Sequence, residues 1–423
     1  MVRAETLTLA DAVRYHMSAP QNPFEIAALL TLADRMQEAE LRRLVEQRIL
    51  PHARFCQTVA EARFPRRPRW RTERPFDVTA HIAVQREPAL SPEALAERLG
   101  VARSQPLPFE RSPWRMELLP LEGGQSALLF RVHHCVADGL ALVRLLCELA
   151  DEPRPMPPRG SAAAHAHGRT AVARGFAQRS RALWSTALEL TSARADDSRE
   201  LHRPCGQKAV AWSGPLDLER LNAVAEARGR HVTELLLSAA AEALARGLRA
   251  TAHHVPARAR ALVPFGASLG RRELGNHFAS AFVDLPLDEP DPWRRIARMA
   301  EQTEKLHDPS RARAARSLIG LAGWLSPPLM RRTLDHFSRR ASLVLSNVPG
   351  PSQPVRLLGH AVRSIVVFAP ASGSMGLSFT LFGYAGELRL SVEVDRALPL
   401  LPAALVEDFQ AALQALSTSS MLA

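Results

Sequence analysis

Two adjacent histidines followed at fixed distance by an acid and a glycine, His133-His134-Cys135-Val136-Ala137-Asp138-Gly139, are the residues of this chain whose types and spacing best suit chemistry. A histidine titrates near neutral pH, so it can take a proton from a hydroxyl or thiol and return it to a leaving group. A strand-like run, Ser126 to Val132, precedes the heptad. An apolar pattern follows it, with Leu142, Leu145, Leu146 and Leu149 spaced as on one buried helical face. The pair is therefore expected where a strand hands over to a helix, a place where rigid scaffolds expose reactive side chains. The seven residues alone also allow a plain turn, since Asp and Gly are turn formers.

The elements that must position this heptad belong to a sizeable protein. A length of 423 residues suggests two or three domains, and 46% hydrophobic residues permit a substantial core. Aromatic residues are few at 5%, so cores rich in Ala, Leu and Val are expected. The formal net charge of +11 raises a nucleic-acid reading. Against it, lysine occurs only at Lys208 and Lys305, and the arginines are spread through every segment with no nucleic-acid motif. Attraction to cofactor phosphates or to anionic lipid explains the charge equally well, and no nucleic-acid partner is expected.

Cys56, Cys135, Cys147 and Cys205 have neither metal-type nor disulfide-scaffold spacing, and no metal site is expected. The first residues lack the apolar run of a secretory signal, and no window approaches the roughly 18 apolar residues of a membrane span. The expectation is a cytoplasmic protein whose membrane contact, if any, is peripheral.

Pattern divides the chain into three. Residues 1–150 alternate helix-like and strand-like segments: a helix over Glu38 to Leu50, an extended run over Phe76 to Val84, a helix over Pro92 to Arg103, then the strand and helix around the heptad. Residues 151–204 hold a proline cluster and an Ala/His-rich stretch with His165 and His167, and read as a crossover linker. Residues 205–423 form a second part. A strand is expected over Lys208 to Ser213, and helices over Leu216 to Arg228, Val232 to Leu248 and Pro290 to Lys305. Apolar runs at Ser342 to Leu345, Ala361 to Phe368 and Leu377 to Phe382 read as strands, and Glu387 to Val394 alternates. Tyr384-Ala385-Gly386 reads as a hairpin, and Ala403 to Leu416 as a final helix. Two mixed α/β halves joined by a linker follow, with chemistry expected in the cleft between them.

Further segments resemble the bacterial wax ester synthase/diacylglycerol acyltransferase family, within the coenzyme A-dependent acyltransferase superfamily that also includes condensation domains. His133 to Gly139 is similar to its HHxxxDG signature, and Ser346-Asn347-Val348-Pro349-Gly350-Pro351 to its SNVPGP. Leu9-Ala10-Asp11-Ala12, Phe76-Asp77 with His81, Leu274-Gly275-Asn276-His277-Phe278 and Gly383-Tyr384-Ala385-Gly386 resemble other family segments, in family order. Three segments depart from the pattern: Ser112-Pro113-Trp114 for Pro-Leu-Trp, Thr233-Glu234 for Asn-Asp, and Pro264-Phe265-Gly266-Ala267-Ser268 for Pro-Val-Ser-x-Arg.

The resemblance implies a mixed α/β (α+β) fold of two chloramphenicol-acetyltransferase-like subdomains with the active site at their interface. It implies an O-acyltransferase that moves a fatty acyl group from acyl-CoA, a co-substrate, to a long-chain alcohol or diacylglycerol, with no cofactor. His134 is implied as general base, with His133 in support. Asp138 would hold the loop through an ion pair with an arginine, and Gly139 would supply a backbone shape or close approach that a Cβ would prevent. Ser346 and Asn347 are candidate oxyanion donors. Trp114 is either a pocket wall or a core tryptophan. Arg311, Arg313 and Arg316 precede an apolar stretch, 317–325, which lies on a membrane or lipid-droplet surface, lines an acyl channel or packs on its own domain. A condensation-type acyltransferase and a non-catalytic lipid-binding protein are the rival readings.

Overall fold

In the computed structural model the strands form two large sheets and one two-stranded sheet, flanked by helices; it describes residues 5–152, 201–202, 204–251, 255–266, 274–371 and 373–419. Almost all of the expected linker, with His165 and His167, lies outside these residues, as does Ser268. In the first part the strands are β1 (Glu25–Leu32), β2 (Gln57–Ala60), β3 (Arg69–Thr72), β4 (Ile82–Val84), β5 (Trp114–Leu121) and β6 (Gln125–His133). Its helices are α1 (Leu9–Met17), α2 (Glu38–Leu44), α3 (Pro92–Ser104) and α4 (Gly139–Leu149). The second part carries strands β7 (Lys208–Trp212), β8 (Leu216–Asp217), β9 (Arg258–Phe265), β10 (Ala279–Pro286), β11 (Leu343–Pro349), β12 (Arg356–Leu357), β13 (His360–Phe368), β14 (Leu377–Tyr384) and β15 (Glu387–Asp395). Its helices are α5 (Leu218–Ala227), α6 (Val232–Thr251), α7 (Pro292–Glu304), α8 (Pro309–Ala322), α9 (Pro327–Ser338) and α10 (Pro402–Ser419).

The first sheet has six strands in the order β12-β13-β1-β6-β5-β4, and the second runs β10-β9-β11-β14-β15-β7 with β8 beside β15. The first sheet thus draws on both ends of the chain: β13 lies antiparallel to β1, with Ala27 opposite Phe368. Its near-continuous apolar run HAVRSIVVF suits a strand packed on both faces. β1, in turn, pairs with β6 from Glu25 opposite His133 to Leu32 opposite Ser126, which fixes where the heptad emerges.

Local chemistry sets the element ends. Ser91 and Asp291 cap α3 and α7 with their side-chain oxygens, each followed by proline at the first helical position. The β14–β15 hairpin turns through Ala385 (φ 50°) and Gly386 (φ 86°), the left-handed pair that a two-residue turn requires. Over Phe76 to Val84 the fold differs from the expected extended run. The Asp77 carboxylate accepts from the Thr79 N–H, and a 3-10 turn follows over Val78–Ala80, so only Ile82–Val84 is strand.

One core packs α6 and α10 on the second sheet, around Leu244, Phe379 and Phe409. Another lies between the first sheet and α4, around Leu128, Phe130 and Leu145. Between the halves runs a buried charge network. Arg131 donates to Glu25 Oε2 at 2.7 Å, and Arg103 donates to the Glu25 carbonyl at 2.7 Å and to Glu393 Oε2 at 2.5 Å. Since Glu25 lies on β1 of the first sheet and Glu393 on β15 of the second, and Arg103 bonds to both, these bonds fix one sheet against the other.

Candidate active site

The end of β6 delivers the two histidines by ordinary ladder bonds. The His133 N–H donates to the Pro113 carbonyl at 2.9 Å, and the His134 N–H to the Phe24 carbonyl at 3.0 Å. The chain then turns, and Asp138 begins α4 as its N-cap, accepting from the Ala141 N–H at 2.9 Å. The heptad is therefore strand end, turn and helix cap in one unit.

A loop from the second half closes over this unit. The Asp138 N–H donates to the Gly275 carbonyl at 3.0 Å, and the His277 N–H returns a bond to Asp138 Oδ2 at 2.8 Å. Gly275 sits at φ 140°, a conformation side chains disfavour, with the Asp11 carboxylate 3.7 Å from where a Cβ would stand. Asn276 Nδ2 donates both to the His134 carbonyl and to Asp11 Oδ1, each at 2.8 Å. Asp11 is held in turn by the Thr8 hydroxyl at 2.7 Å. Burial pushes the Asp11 carboxyl upward, opposed by its bonds to Asn276 and Thr8.

The two histidines differ sharply. His133 points into the core, its Nδ1 accepting from the Cys135 N–H at 3.1 Å and its ring set edgewise on Phe109. The His134 ring lines a cavity of about 520 Å³, stacked on Phe24 at 5.0 Å and tilted against Phe278 at 5.4 Å. Its Nδ1 is sealed from solvent and makes no hydrogen bond. Nε2 is thus the nitrogen that can reach a cavity occupant. Burial, and then the charge of Arg14, push the His134 imidazole down to about 3, so it is neutral at physiological pH. Burial followed by the neighbouring His134 takes His133 to about 3 as well.

Both halves line the cavity. Arg14 and Met17 come from α1, Leu318 and Ile319 from α8, His336 and Phe337 from α9, Ser346 and Asn347 from β11 and Thr380 from β14. A second, apolar cavity of about 80 Å³ lies between α4 and the β1–β6–β13 face. Ile26, Gly139, Val348 and Val367 line both cavities, so the two adjoin just beside the heptad. The arrangement offers a neutral imidazole to a polar group, apolar room for chains, and two polar residues, Ser346 and Asn347, on the same cavity.

His134, Asp138, Gly139, Ser346 and Asn347 therefore come together on one cavity, while His133 and Trp114 do not line it. Trp114 is a core residue: its Nε1 donates to the Phe55 carbonyl at 2.8 Å and its ring stacks on His81, which stacks in turn on Phe76. Asp138 makes no ion pair with an arginine among the described residues; backbone N–H groups from its own helix and from the 274–278 loop take that place. At Gly139 an added Cβ would meet only Val348 at an ordinary 3.5 Å, and φ is not left-handed, so the demand for glycine there is not one of backbone shape. Gly139 lines both cavities, at the place where they adjoin.

Glu234, one of the departures from the family pattern, caps α6 and accepts from Thr303 at 2.8 Å, away from both cavities. Cys135 is fully buried, lines neither cavity, and has its thiol pushed up by burial. Of α8, Ala315, Leu318, Ile319 and Ala322 wall the cavity while Leu321 faces solvent.

Sequence reasoning missed Arg14 and Phe24, and the places of Asp11, Asn276 and Phe278 at the site. Asp11 and Asn276 stood inside quoted motifs, but only the fold reveals that they meet through one amide. Arg14 carried a local signal: a charge within the apolar pattern of α1, where it is 5% exposed.

Comparison with known proteins adds an independent line. Residues 7–237 match the wax ester synthase/diacylglycerol acyltransferase catalytic domain, and residues 274–417 match that family's C-terminal domain. A Mycobacterium tuberculosis protein provisionally named a diacylglycerol O-acyltransferase is 26% identical over 429 residues, covering 92% of this chain and 85% of its own. Among solved structures, the wax ester synthase/diacylglycerol acyltransferase of Marinobacter aquaeolei VT8 superposes with a TM-score of 0.68 at 20% identity, covering 98% of this chain and 99% of its own. The first condensation domain of the calcium-dependent antibiotic synthetase superposes at 0.63 with 17% identity, covering 99% of this chain and 96% of its own.

Proposed function

The chain belongs to the wax ester synthase/diacylglycerol acyltransferase family and is an acyltransferase, and from that premise we propose that it moves a fatty acyl group from acyl-CoA to the hydroxyl of a long-chain alcohol or a diacylglycerol. The observation that carries this reading is the neutral His134 ring on a cavity shared by both halves, with an apolar extension beside it. His134 Nε2 takes the hydroxyl proton as the acceptor oxygen attacks the thioester carbonyl carbon. The carbon–sulfur bond then breaks, and the departing thiolate takes that proton from the imidazolium. Ser346 and Asn347 donate to the carbonyl oxygen while it carries negative charge. No covalent acyl-enzyme is formed, in keeping with a Cys135 thiol that lines neither cavity. The apolar cavity and the α8–α9 wall take the hydrocarbon chains.

The test is free-thiol release from acyl-CoA across a panel of alcohol acceptors. His134→Ala should cut turnover by at least about 100-fold with folding intact. Near-normal release by the variant with any acceptor contradicts the role given to His134.

The same reading places the enzyme where apolar substrates dissolve, as a cytoplasmic protein held peripherally on membranes or lipid droplets. No helix among the described residues is long and apolar enough to cross a membrane. Leu321, Trp324 and Leu329 are about half exposed or more, at 57%, 61% and 49%. Arg67 lies over the Trp324 ring at 5.6 Å, and exposed Arg331 and Arg332 share a helix with Leu329, a mixture that suits an anionic lipid surface. Flotation with anionic liposomes at low salt, weakening at high salt, is expected; no binding at low salt contradicts it.

A further inference from the structure

Arg14 is the feature of the cavity that neutral alcohols and acyl chains leave without a purpose. Its side chain is enclosed by the protein and lines the same cavity as His134. The buried arginines Arg103, Arg131, Arg260 and Arg295 each meet a carboxylate within hydrogen-bonding reach. Arg14 meets none among the described residues. Its Nη1 donates to the Met17 sulfur at 3.6 Å, a weak acceptor, and its Nε is buried with no partner. Asp11 and Asp138 act on it only from beyond ion-pair distance. Burial lowers the guanidinium to about 10, which still leaves it charged at neutral pH. An enclosed cation of this kind is costly until an anion joins it.

We propose that Arg14 is an anion subsite of the reaction cavity, which takes the carboxylate of a hydroxy acid acceptor while His134 deprotonates that acceptor's hydroxyl. The proposal rests on the reading of His134 as the base. The two groups flank one ring: the guanidinium carbon lies 4.7 Å from the Phe278 centroid, and the His134 ring 5.4 Å from it. An anion at Arg14 therefore belongs to a group only a few bonds from the reacting oxygen. The phosphates of coenzyme A stand a pantetheine arm away from the thioester and do not fit that position. A planar guanidinium matches a carboxylate through two parallel hydrogen bonds. The carboxylate itself is unchanged by the reaction; the hydroxyl oxygen gains the acyl group, and the thiolate leaves with the proton. Its presence also offsets the Arg14 charge that acts against protonation of His134, so an acidic acceptor strengthens the base that it uses.

The test compares 3-hydroxyhexadecanoate with its methyl ester as acceptors, with palmitoyl-CoA as donor. The wild-type protein should prefer the acid by about 10- to 100-fold in kcat/KM, the range of one charge-assisted hydrogen-bonded pair. Arg14→Gln should bring the ratio of acid to ester close to one, and Arg14→Lys should leave it intermediate. Equal use of the two acceptors by the wild type, or preference for the ester, overturns the proposal. So does an Arg14→Gln variant that slows both acceptors by one common factor, since that result assigns the cation to the carbonyl oxyanion instead. Should Arg14→Gln fail to fold, the wild-type and Arg14→Lys ratios decide. If no acceptor, 1-hexadecanol included, supports thiol release, the His134 reading fails rather than this one. Calorimetric titration of the acid and the ester, without donor, then decides for Arg14: tighter binding of the acid supports the subsite, and equal affinity overturns it.

Discussion

Two buried charged regions of this molecule are built on opposite principles. In the Glu25–Arg131–Arg103–Glu393 network every charge has a partner: both arginines bond to carboxylates, and Glu25 also accepts from the Leu107 N–H at 2.6 Å. At the candidate site Arg14 meets no carboxylate among the described residues, His134 Nδ1 is buried without a partner, and behind the cavity wall Asn276 leaves its Oδ1 unsatisfied. Native proteins pair their buried polar groups as a rule. The first region obeys that rule and fixes the halves in register. The second departs from it beside the cavity. Unsatisfied buried polar atoms also occur away from the cavity, at His81, Ser112 and Trp293, so what sets this site apart is a buried cation without a carboxylate on the same wall as an imidazole.

The contrast can be broken most forcefully on the paired side. Glu25→Ala strips Arg131 of its carboxylate and should lower stability by about 3–5 kcal/mol, the usual cost of breaking a buried pair from one end. Arg14→Met, which removes an unpaired charge, should leave stability unchanged or raise it. Denaturant unfolding of the two variants checks both; equal losses would erase the distinction. Next in size is Asn276→Ala. It leaves the His134 carbonyl and Asp11 without their shared donor, and should cost about 1–3 kcal/mol while kcat falls more than KM changes. Melting and steady-state kinetics together separate those two effects.

A pH effect follows, with a definite sign. Both histidines have folded values near 3 against an ordinary value of 6.5. Between those limits the unfolded chain binds more protons, so stability is complete above pH 6.5 and declines as pH falls toward 3. Melting temperature against pH should show that slope, and His133→Gln should flatten it. The profile of kcat/KM should have no acidic limb near 6.5, because the free enzyme keeps His134 neutral well below that value. The smallest effects concern shape. Gly139→Val should narrow the junction of the two cavities and shift acyl-chain preference toward shorter donors. Trp114→Phe loses one core hydrogen bond and should change stability more than chain preference.

The contrast also separates what the sequence made legible from what it did not. The heptad, the strand before it, α4 and the apolar C-terminal runs followed from period and turn chemistry, since these are local. Local pattern could not assign β13 to the first sheet beside β1, because register across hundreds of residues is a tertiary outcome. β1 itself, an EIAALLTL run, carries no alternation to tell a buried strand from a buried helix. The same limit applies at the site. His134, Ser346 and Asn347 were nameable from motifs, but the Asp11–Asn276–His134 contact joins three distant segments. Trp114 and Asp138 show the converse: a motif residue may serve a stack or a helix cap, and only its neighbours tell which.

The central claim is that acyl transfer is direct, driven by His134 on the shared cavity. A rapid-mixing experiment with stoichiometric enzyme and palmitoyl-CoA, read for free thiol and for intact protein mass, tests it most directly. Without acceptor there should be no thiol burst and no added acyl mass; addition of 1-hexadecanol should then release thiol and ester together, in equal amounts. One equivalent of thiol released before any alcohol is added, with a palmitoyl group found on the protein, would contradict it.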